Sequence, residues 1–194
     1  MNTFRYTHTG VTYVYIGLIL IAITILIIPL SMLLHAAPLL LALPLLWIAS
    51  SLLSMIGRIL CLSVPKEVGA SGLIYAAVIC DVSSLFAAVS PMATWLPNLS
   101  AYQGLLSVAA MVLFILFLKK LAVFISDAES AILASNMLIL SIGLAILMVA
   151  MIALPFVAPA AALGPVLLIP ILLIVGFFIY GRLLSGLRMS LAIA

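Results

Sequence analysis

Long apolar stretches alternate with short polar segments along the whole chain. Six of these stretches are almost free of charged residues: 11–34, 38–60, 69–89, 101–118, 131–154 and 164–184. A helix needs about 20 residues to cross the hydrocarbon layer of a membrane, and it pairs its own backbone groups there. The pattern therefore predicts an all-α transmembrane bundle with six spans.

Prolines and one polar motif add detail to this pattern. Pro44 and Pro170 lie inside the second and sixth stretches, where a missing backbone N–H predicts a bend in each helix. Ser126 and Glu129 match the S-x-x-E capping box, which predicts that Ser126 begins the helix leading into the fifth stretch. The first stretch is longer than the about 7–15 apolar residues of a signal peptide, so we expect a retained span.

The composition is that of a membrane protein. Of the 194 residues, 69% are hydrophobic and 6% are charged, and the mean hydropathy is +1.57. Soluble domains are about 45–50% apolar and about 25% charged, and a soluble chain of this length could not bury so many apolar side chains. The basic residues are scattered and form no patch for nucleic acid. Membrane lipid is their expected partner.

All Lys and Arg residues fall on one side of the membrane once six spans are drawn. The seven are Arg5, Arg58, Lys66, Lys119, Lys120, Arg182 and Arg188. Connections 34–37, 90–100 and 155–163 carry none of them. Because cytoplasmic segments are enriched in Lys and Arg, the pattern places both termini in the cytoplasm. We expect these side chains to contact the headgroups of the inner leaflet.

The six spans group into three hairpins within one transmembrane domain, at about residues 11–60, 69–118 and 131–184. Arg58, Lys120 and Arg182 end the three hairpins and are spaced by 62 residues each time. This spacing is compatible with three parallel repeats around an axis normal to the membrane. Three hairpins of similar length would give the same spacing, and both interpretations remain open.

Asp81 is the one acidic residue inside a predicted span. A charged carboxylate in lipid costs at least a few kcal/mol, so Asp81 must be protonated, paired or in contact with a wet cavity. In one interpretation Asp81 binds a proton or cation, helped by the hydroxyls of Ser83 and Ser84. In the other it pairs helices by a hydrogen bond to a polar residue of a neighbouring span. The candidate partners are Ser54, Asn136 and Ser141.

No group of residues has the spacing of a catalytic or metal site. His8 and His35 are predicted on opposite faces of the membrane, which does not suit a pair of haem ligands. Cys61 and Cys80 lack metal-type spacing and are expected to act as small apolar side chains. Neither HExxH nor a glycine-rich phosphate loop occurs. We expect no enzyme activity, cofactor or metal.

Two short segments carry a resemblance to other proteins. They are RILCLSVPKEVGA at residues 58–70 and CDV at residues 80–82. In these segments the chain resembles uncharacterised small multi-span membrane proteins of planctomycete-type bacteria. The resemblance implies a bacterial inner membrane and transfers no activity.

Two functions are compatible with this sequence. The short loops and the scarcity of polar residues in the spans favour a structural or accessory component of a membrane assembly. Its partners would be lipid, other membrane subunits or further copies of the chain, and no nucleic acid. The alternative is a small proton- or cation-linked transporter or channel that uses Asp81.

Overall fold

The computed structural model describes the backbone of residues 4–33, 37–89, 99–157 and 163–193, and the side chains of residues 4–27, 43–86, 106–147 and 168–193. Within these ranges the chain forms six α-helices and no strand, so the fold is all-α. The helices are α1 (Arg5–Leu33), α2 (Ala37–Leu60), α3 (Ser71–Val89), α4 (Leu99–Phe124), α5 (Ala128–Val157) and α6 (Leu163–Ile193). Two 3-10 turns, Cys61–Ser63 and Lys66–Val68, connect α2 to α3.

Five of the described helices are long and apolar enough to cross a membrane. They are α1, α2, α4, α5 and α6. The described side chains of α3 form a shorter apolar helix, Ser71–Phe86. These lengths and compositions support a membrane protein with several spans, and the count of six stays a prediction. Most of the three connections without Lys or Arg lie outside the described residues.

The helices extend beyond the apolar stretches. α1 begins at Arg5 rather than at residue 11, and α6 continues to Ile193 rather than ending at residue 184. Hydropathy marks where apolar side chains stop, whereas a helix ends where its terminal backbone groups find other partners. The added turns carry polar and charged residues.

The helices pack as antiparallel pairs, α1 with α2, α3 with α4 and α5 with α6. α4 also packs against α5, and α1 against α6, whereas α2 and α3 contact each other only slightly. The first turns of α1, α3 and α5 meet the last turns of α2, α4 and α6 at one end of the bundle. There the ring of Phe4 lies 6.1 Å from that of Phe124, and Lys120 Nζ donates to the Gly69 carbonyl at 3.1 Å. We name this the charged end.

The core lies between α4 and its neighbours. The buried side chains of α4 recur at spacings of three and four residues and cover a broad face of the helix. They are Ala110, Phe114, Ile115, Phe117, Leu118, Leu121 and Ala122. Large apolar side chains also cover the outside of the bundle, where Phe86, Ile139 and Phe178 are 71–73% exposed. Such a surface suits lipid and would promote aggregation in water.

Glycines let α1 and α2 cross at close range. A Cβ added to Gly57 would lie 2.6 Å from the Gly10 carbonyl oxygen and 2.7 Å from Val14 Cγ2. A Cβ added to Gly17 would lie 3.0 Å from the Ser50 carbonyl oxygen. Small residues drive such close packing between membrane helices, because neighbouring backbones can then make extensive van der Waals contact. This crossing fixes the position of Arg58, the residue after Gly57.

Candidate functional site

Asp81 lies inside the bundle and carries a charged partner. It belongs to α3, which begins at Ser71, so it lies about 15 Å along that helix at 1.5 Å per residue. Its carboxylate oxygen Oδ2 accepts a hydrogen bond from Arg58 Nη1 at 2.5 Å. The side chains of Arg58 and Asp81 are 13% and 20% exposed. The two residues therefore form a largely buried ion pair between α2 and α3.

The position of Arg58 corrects the expectation that it contacts lipid headgroups. Its side chain turns into the bundle, where the guanidinium carbon lies 4.9 Å from the centre of the Phe114 ring. This is the geometry of a cation–π contact. The Tyr180 side chain of α6 also lies beside Arg58. A long side chain in the last turn of a helix can reach either towards headgroups or inwards, and the carboxylate of Asp81 favours the inward direction.

The Arg58 guanidinium keeps unused hydrogen-bonding capacity. It carries five N–H donors, and Nη1 donates to Asp81. Its Nε is buried and has no hydrogen-bond partner among the described residues. A buried donor without a partner costs free energy, about 1–3 kcal/mol. Arg58 therefore keeps an N–H donor that no described residue accepts from.

A cavity of about 330 Å³ lies against Arg58. Its polar lining comes from Ser54 and Arg58 of α2, Ser141 of α5 and Tyr180 of α6, and the rest is mostly apolar. Asp81 does not line the cavity, whereas its ion-pair partner Arg58 does. Pockets for small molecules start at about 300 Å³ and combine apolar walls with a few polar groups. The cavity has the size and lining to hold one small solute.

Ser83 and Ser84, the two serines predicted to assist Asp81, have different environments. Ser84 is buried, and its hydroxyl lies 2.9 Å from the hydroxyl of Ser107 on α4. This contact joins α3 to α4. Ser83 follows Asp81 by two residues, and residues so spaced do not share a helix face. The structure thus brings Asp81 together with Arg58. The help predicted from Ser83 and Ser84 stays a prediction.

Other cations at the charged end also contact protein groups. Arg182 Nη2 bonds Glu129 Oε1 at 2.8 Å, with both side chains largely exposed. The Arg188 guanidinium carbon lies 5.0 Å from the centre of the Tyr15 ring. The headgroup contacts predicted for Arg5, Lys66, Lys119, Lys120, Arg182 and Arg188 stay predictions. Arg58, Lys120 and Arg182 thus contact three different kinds of group: a carboxylate inside the bundle, a backbone carbonyl and an exposed carboxylate.

The start of α5 corrects the predicted capping box. Asp127, not Ser126, caps the helix, since its Oδ1 accepts a hydrogen bond from the Ser130 N–H at 3.0 Å. Ser126 has a left-handed backbone with φ of 59° and ends α4. Asp127 Oδ2 also accepts from the Ser190 hydroxyl of α6 at 2.7 Å. This carboxylate therefore ties the start of α5 to the end of α6.

Replacing Asp127 by alanine is expected to lower the free energy of unfolding by about 1 kcal/mol, the typical contribution of a helix cap. Burial acts to raise the pKa of Asp127, but the hydrogen bonds from Ser130 and Ser190 outweigh it and hold the pKa below its usual value. The stabilisation is therefore complete above about pH 4 and is lost as the pH falls through the lowered pKa.

Thermal unfolding in detergent between about pH 6 and pH 2 measures this effect. Asp127→Asn should keep much of the cap and flatten the acid limb of the stability curve. Glu67→Gln, at an exposed position in the connection between α2 and α3, is the matched control. Parallel curves for the wild type and Asp127→Asn would contradict the prediction.

Within the described part of the chain, the cysteines and His8 form no cluster with other candidate residues. Cys61 is buried, Cys80 is partly buried, and both are free thiols. His8 is partly buried in α1, and His35 lies outside the described residues. In the described ranges no three His, Cys, Asp or Glu side chains lie close enough together to hold a metal ion.

The sequence identifies Asp81 as a candidate but indicates neither its partner nor the cavity. The positive-inside pattern places Arg58 with the other cations, and Ser54, Ser141 and Tyr180 come from three different helices. Opposite charges in consecutive spans were the one signal that could have paired Arg58 with Asp81. Comparison with protein family models, curated proteins and solved structures finds no match to this chain.

Proposed function

We propose that the chain is a six-span protein of a bacterial inner membrane, with both termini in the cytoplasm. The apolar sequence of α3 supports the sixth span, although its described part is short. The one-sided placement of Lys and Arg supports the orientation, since it would put the charged end in the cytoplasm. The resemblance to membrane proteins of planctomycete-type bacteria supports the choice of membrane.

Within this membrane the protein acts as a small carrier or channel whose site is Arg58, Asp81 and the adjoining cavity. The observation that carries this proposal is the ion pair inside the bundle, together with the cavity that Arg58 lines. Charged residues inside membrane bundles are costly, and such residues mark substrate and ion pathways in membrane proteins. The sequence alone favours a packing role for Asp81. Its charged partner Arg58 and the adjoining cavity favour transport instead.

The site suggests how binding and protonation are linked. With Asp81 charged, its carboxylate holds Arg58 and joins α2 to α3, which otherwise contact each other only slightly. When Asp81 takes up a proton, its attraction for Arg58 weakens. Arg58 can then donate to an anionic or hydrogen-bond-accepting solute in the cavity, next to the hydroxyls of Ser54 and Tyr180. The mechanism has no catalytic step and uses no cofactor or metal.

A flux measurement tests this function. The purified protein is placed in vesicles that enclose a pH-sensitive dye, and an inward proton gradient is applied with chloride, phosphate or lactate outside. We expect faster acidification than in protein-free vesicles with at least one of these anions. Asp81→Asn and the double variant Arg58→Met with Asp81→Val should abolish the acceleration, whereas the control Glu67→Gln should keep it.

The double variant makes the test specific. Removing both charges leaves no unpaired charge in the bundle, so this variant is expected to fold although the ion pair is gone. If the double variant is folded and transports as fast as the wild type, the pair is structural and the carrier proposal is wrong. No acceleration with any of the three anions also overturns it.

The second candidate is a non-enzymatic accessory component of a membrane assembly. The slight contact between α2 and α3 favours it, because the Arg58–Asp81 pair would then serve to hold these helices together. Its partners would be membrane subunits or further copies of the chain. Purification in a mild detergent tests it: a stable complex or oligomer supports this role, and a monodisperse monomer contradicts it.

A further inference from the structure

A second concave surface runs between α1 and α6, away from the ion pair. Its lower part encloses about 910 Å³ at the charged end, between α1, α5 and α6. Its polar lining there includes Asp127, Glu129, Arg182 and Ser185. The side chains of Arg182 and Glu129 are largely exposed, so a bound molecule can reach both charges.

The upper part of this surface is apolar. A volume of about 620 Å³ lies between α1 and α6 and shares Ala22, Leu26, Phe177 and Phe178 with the lower part. From Tyr15 to Leu26 the continuous groove follows α1 for about 16 Å at 1.5 Å per residue. That length is about half of a hydrocarbon core of about 30 Å, the depth of one lipid leaflet.

We propose that this groove binds one phospholipid with a primary amine in its headgroup, such as phosphatidylethanolamine. Arg182 donates hydrogen bonds to the phosphate, and the ammonium group donates to Glu129 and Asp127. An acyl chain lies along the apolar part of the groove. This inference needs the bundle to span a membrane, but it is independent of the transport proposed for Arg58 and Asp81.

Charge complementarity selects this headgroup. The polar end of the groove offers one cation, Arg182, and two carboxylates, Glu129 and Asp127. A zwitterionic amine lipid matches both signs, with three N–H donors for the carboxylates. A choline headgroup has no N–H donor, and a glycerol headgroup brings a negative phosphate without a cation. Arg182 and Glu129 bond each other at 2.8 Å, and a headgroup of both signs can insert between them.

Lipid competition tests the proposal. The full chain in a mild detergent is mixed with equal amounts of phosphatidylethanolamine, phosphatidylcholine and phosphatidylglycerol that carry the same acyl chains. Native mass spectrometry then counts the lipid bound to each chain. We expect one phosphatidylethanolamine, preferred by about tenfold, the factor that one charge-assisted hydrogen bond provides.

Three variants test the carboxylate, the cation and the apolar wall of the groove one at a time. Glu129→Gln should reduce the preference for the amine over the choline headgroup, and Arg182→Gln should weaken binding of all three lipids. Ala22→Leu should fill the groove and lower occupancy, although it leaves every charge in place. Glu67→Gln is the control, since this exposed carboxylate lies outside the groove.

The relative amounts of the three bound lipids decide whether the proposal holds. Equal retention of the three lipids would show an unselective surface and overturn the proposal, and so would a preference for phosphatidylglycerol. A preference that survives in a folded Glu129→Gln protein would also contradict it. Melting temperatures near that of the wild type establish that each variant is folded. Because the readout is bound lipid, failure of the transport measurement leaves this result unaffected.

Discussion

Replacing Asp81 by asparagine is expected to lower the free energy of unfolding by about 3–5 kcal/mol, the usual cost of breaking a buried ion pair. The change leaves the Arg58 guanidinium in the bundle with no countercharge, and Arg cannot release its proton. The side chain is only 13% exposed, so water compensates little of this charge. Denaturant unfolding in detergent measures the difference.

Replacing Arg58 by methionine should lower the free energy of unfolding by less than Asp81→Asn does. In Arg58→Met the remaining carboxylate of Asp81 can take up a proton and become neutral, which removes the unpaired charge. The double variant Arg58→Met with Asp81→Val should recover most of the lost stability, because apolar residues of similar size can replace a buried ion pair. A double variant that is less stable than Asp81→Asn would contradict this interpretation of the pair.

Replacing Gly57 by alanine is expected to lower the free energy of unfolding by about 1–3 kcal/mol, the range for overpacking a tight core. The new Cβ would lie 2.6 Å from the Gly10 carbonyl oxygen, and a backbone atom cannot move aside as a flexible side chain can. The two helices must therefore separate, which also displaces Arg58.

Gly143 of α5 provides the matched control for this measurement. Nothing lies within 4 Å of a Cβ added to it. Gly143→Ala should be neutral or stabilise the helix by up to about 1 kcal/mol through propensity alone. Equal effects of the two glycine substitutions would show that the crossing of α1 and α2 is not tightly packed.

Hydropathy predicted the helical class because a membrane helix needs a long apolar stretch, which the sequence displays directly. It did not predict which helices are neighbours, such as α4 with α5 and α1 with α6. In a water-soluble protein, the apolar face of an amphipathic helix indicates the side that packs against a neighbouring helix. In lipid all faces of a helix are apolar, so this signal is absent. The crossing at Gly10 and Gly57 lies inside a predicted hairpin, but hydropathy does not indicate which faces of α1 and α2 meet there.

The candidate site divides in the same way. Asp81 could be identified because an acid in an apolar stretch demands a partner. Arg58 was assigned to the headgroups because the positive-inside rule counts where a residue lies along a span and ignores the direction of its side chain. The cap of α5 was misplaced by one residue because Ser126 and Asp127 are both good capping residues. The left-handed backbone that ends α4 at Ser126 decides between them.

The ion pair also constrains how the ribosome and the insertion machinery assemble this protein. Arg58 is synthesised 23 residues before Asp81. The pair can therefore form only after Asp81 in α3 has been synthesised. The contact between the first and the second hairpin is thus made after the whole sequence of the first hairpin is complete.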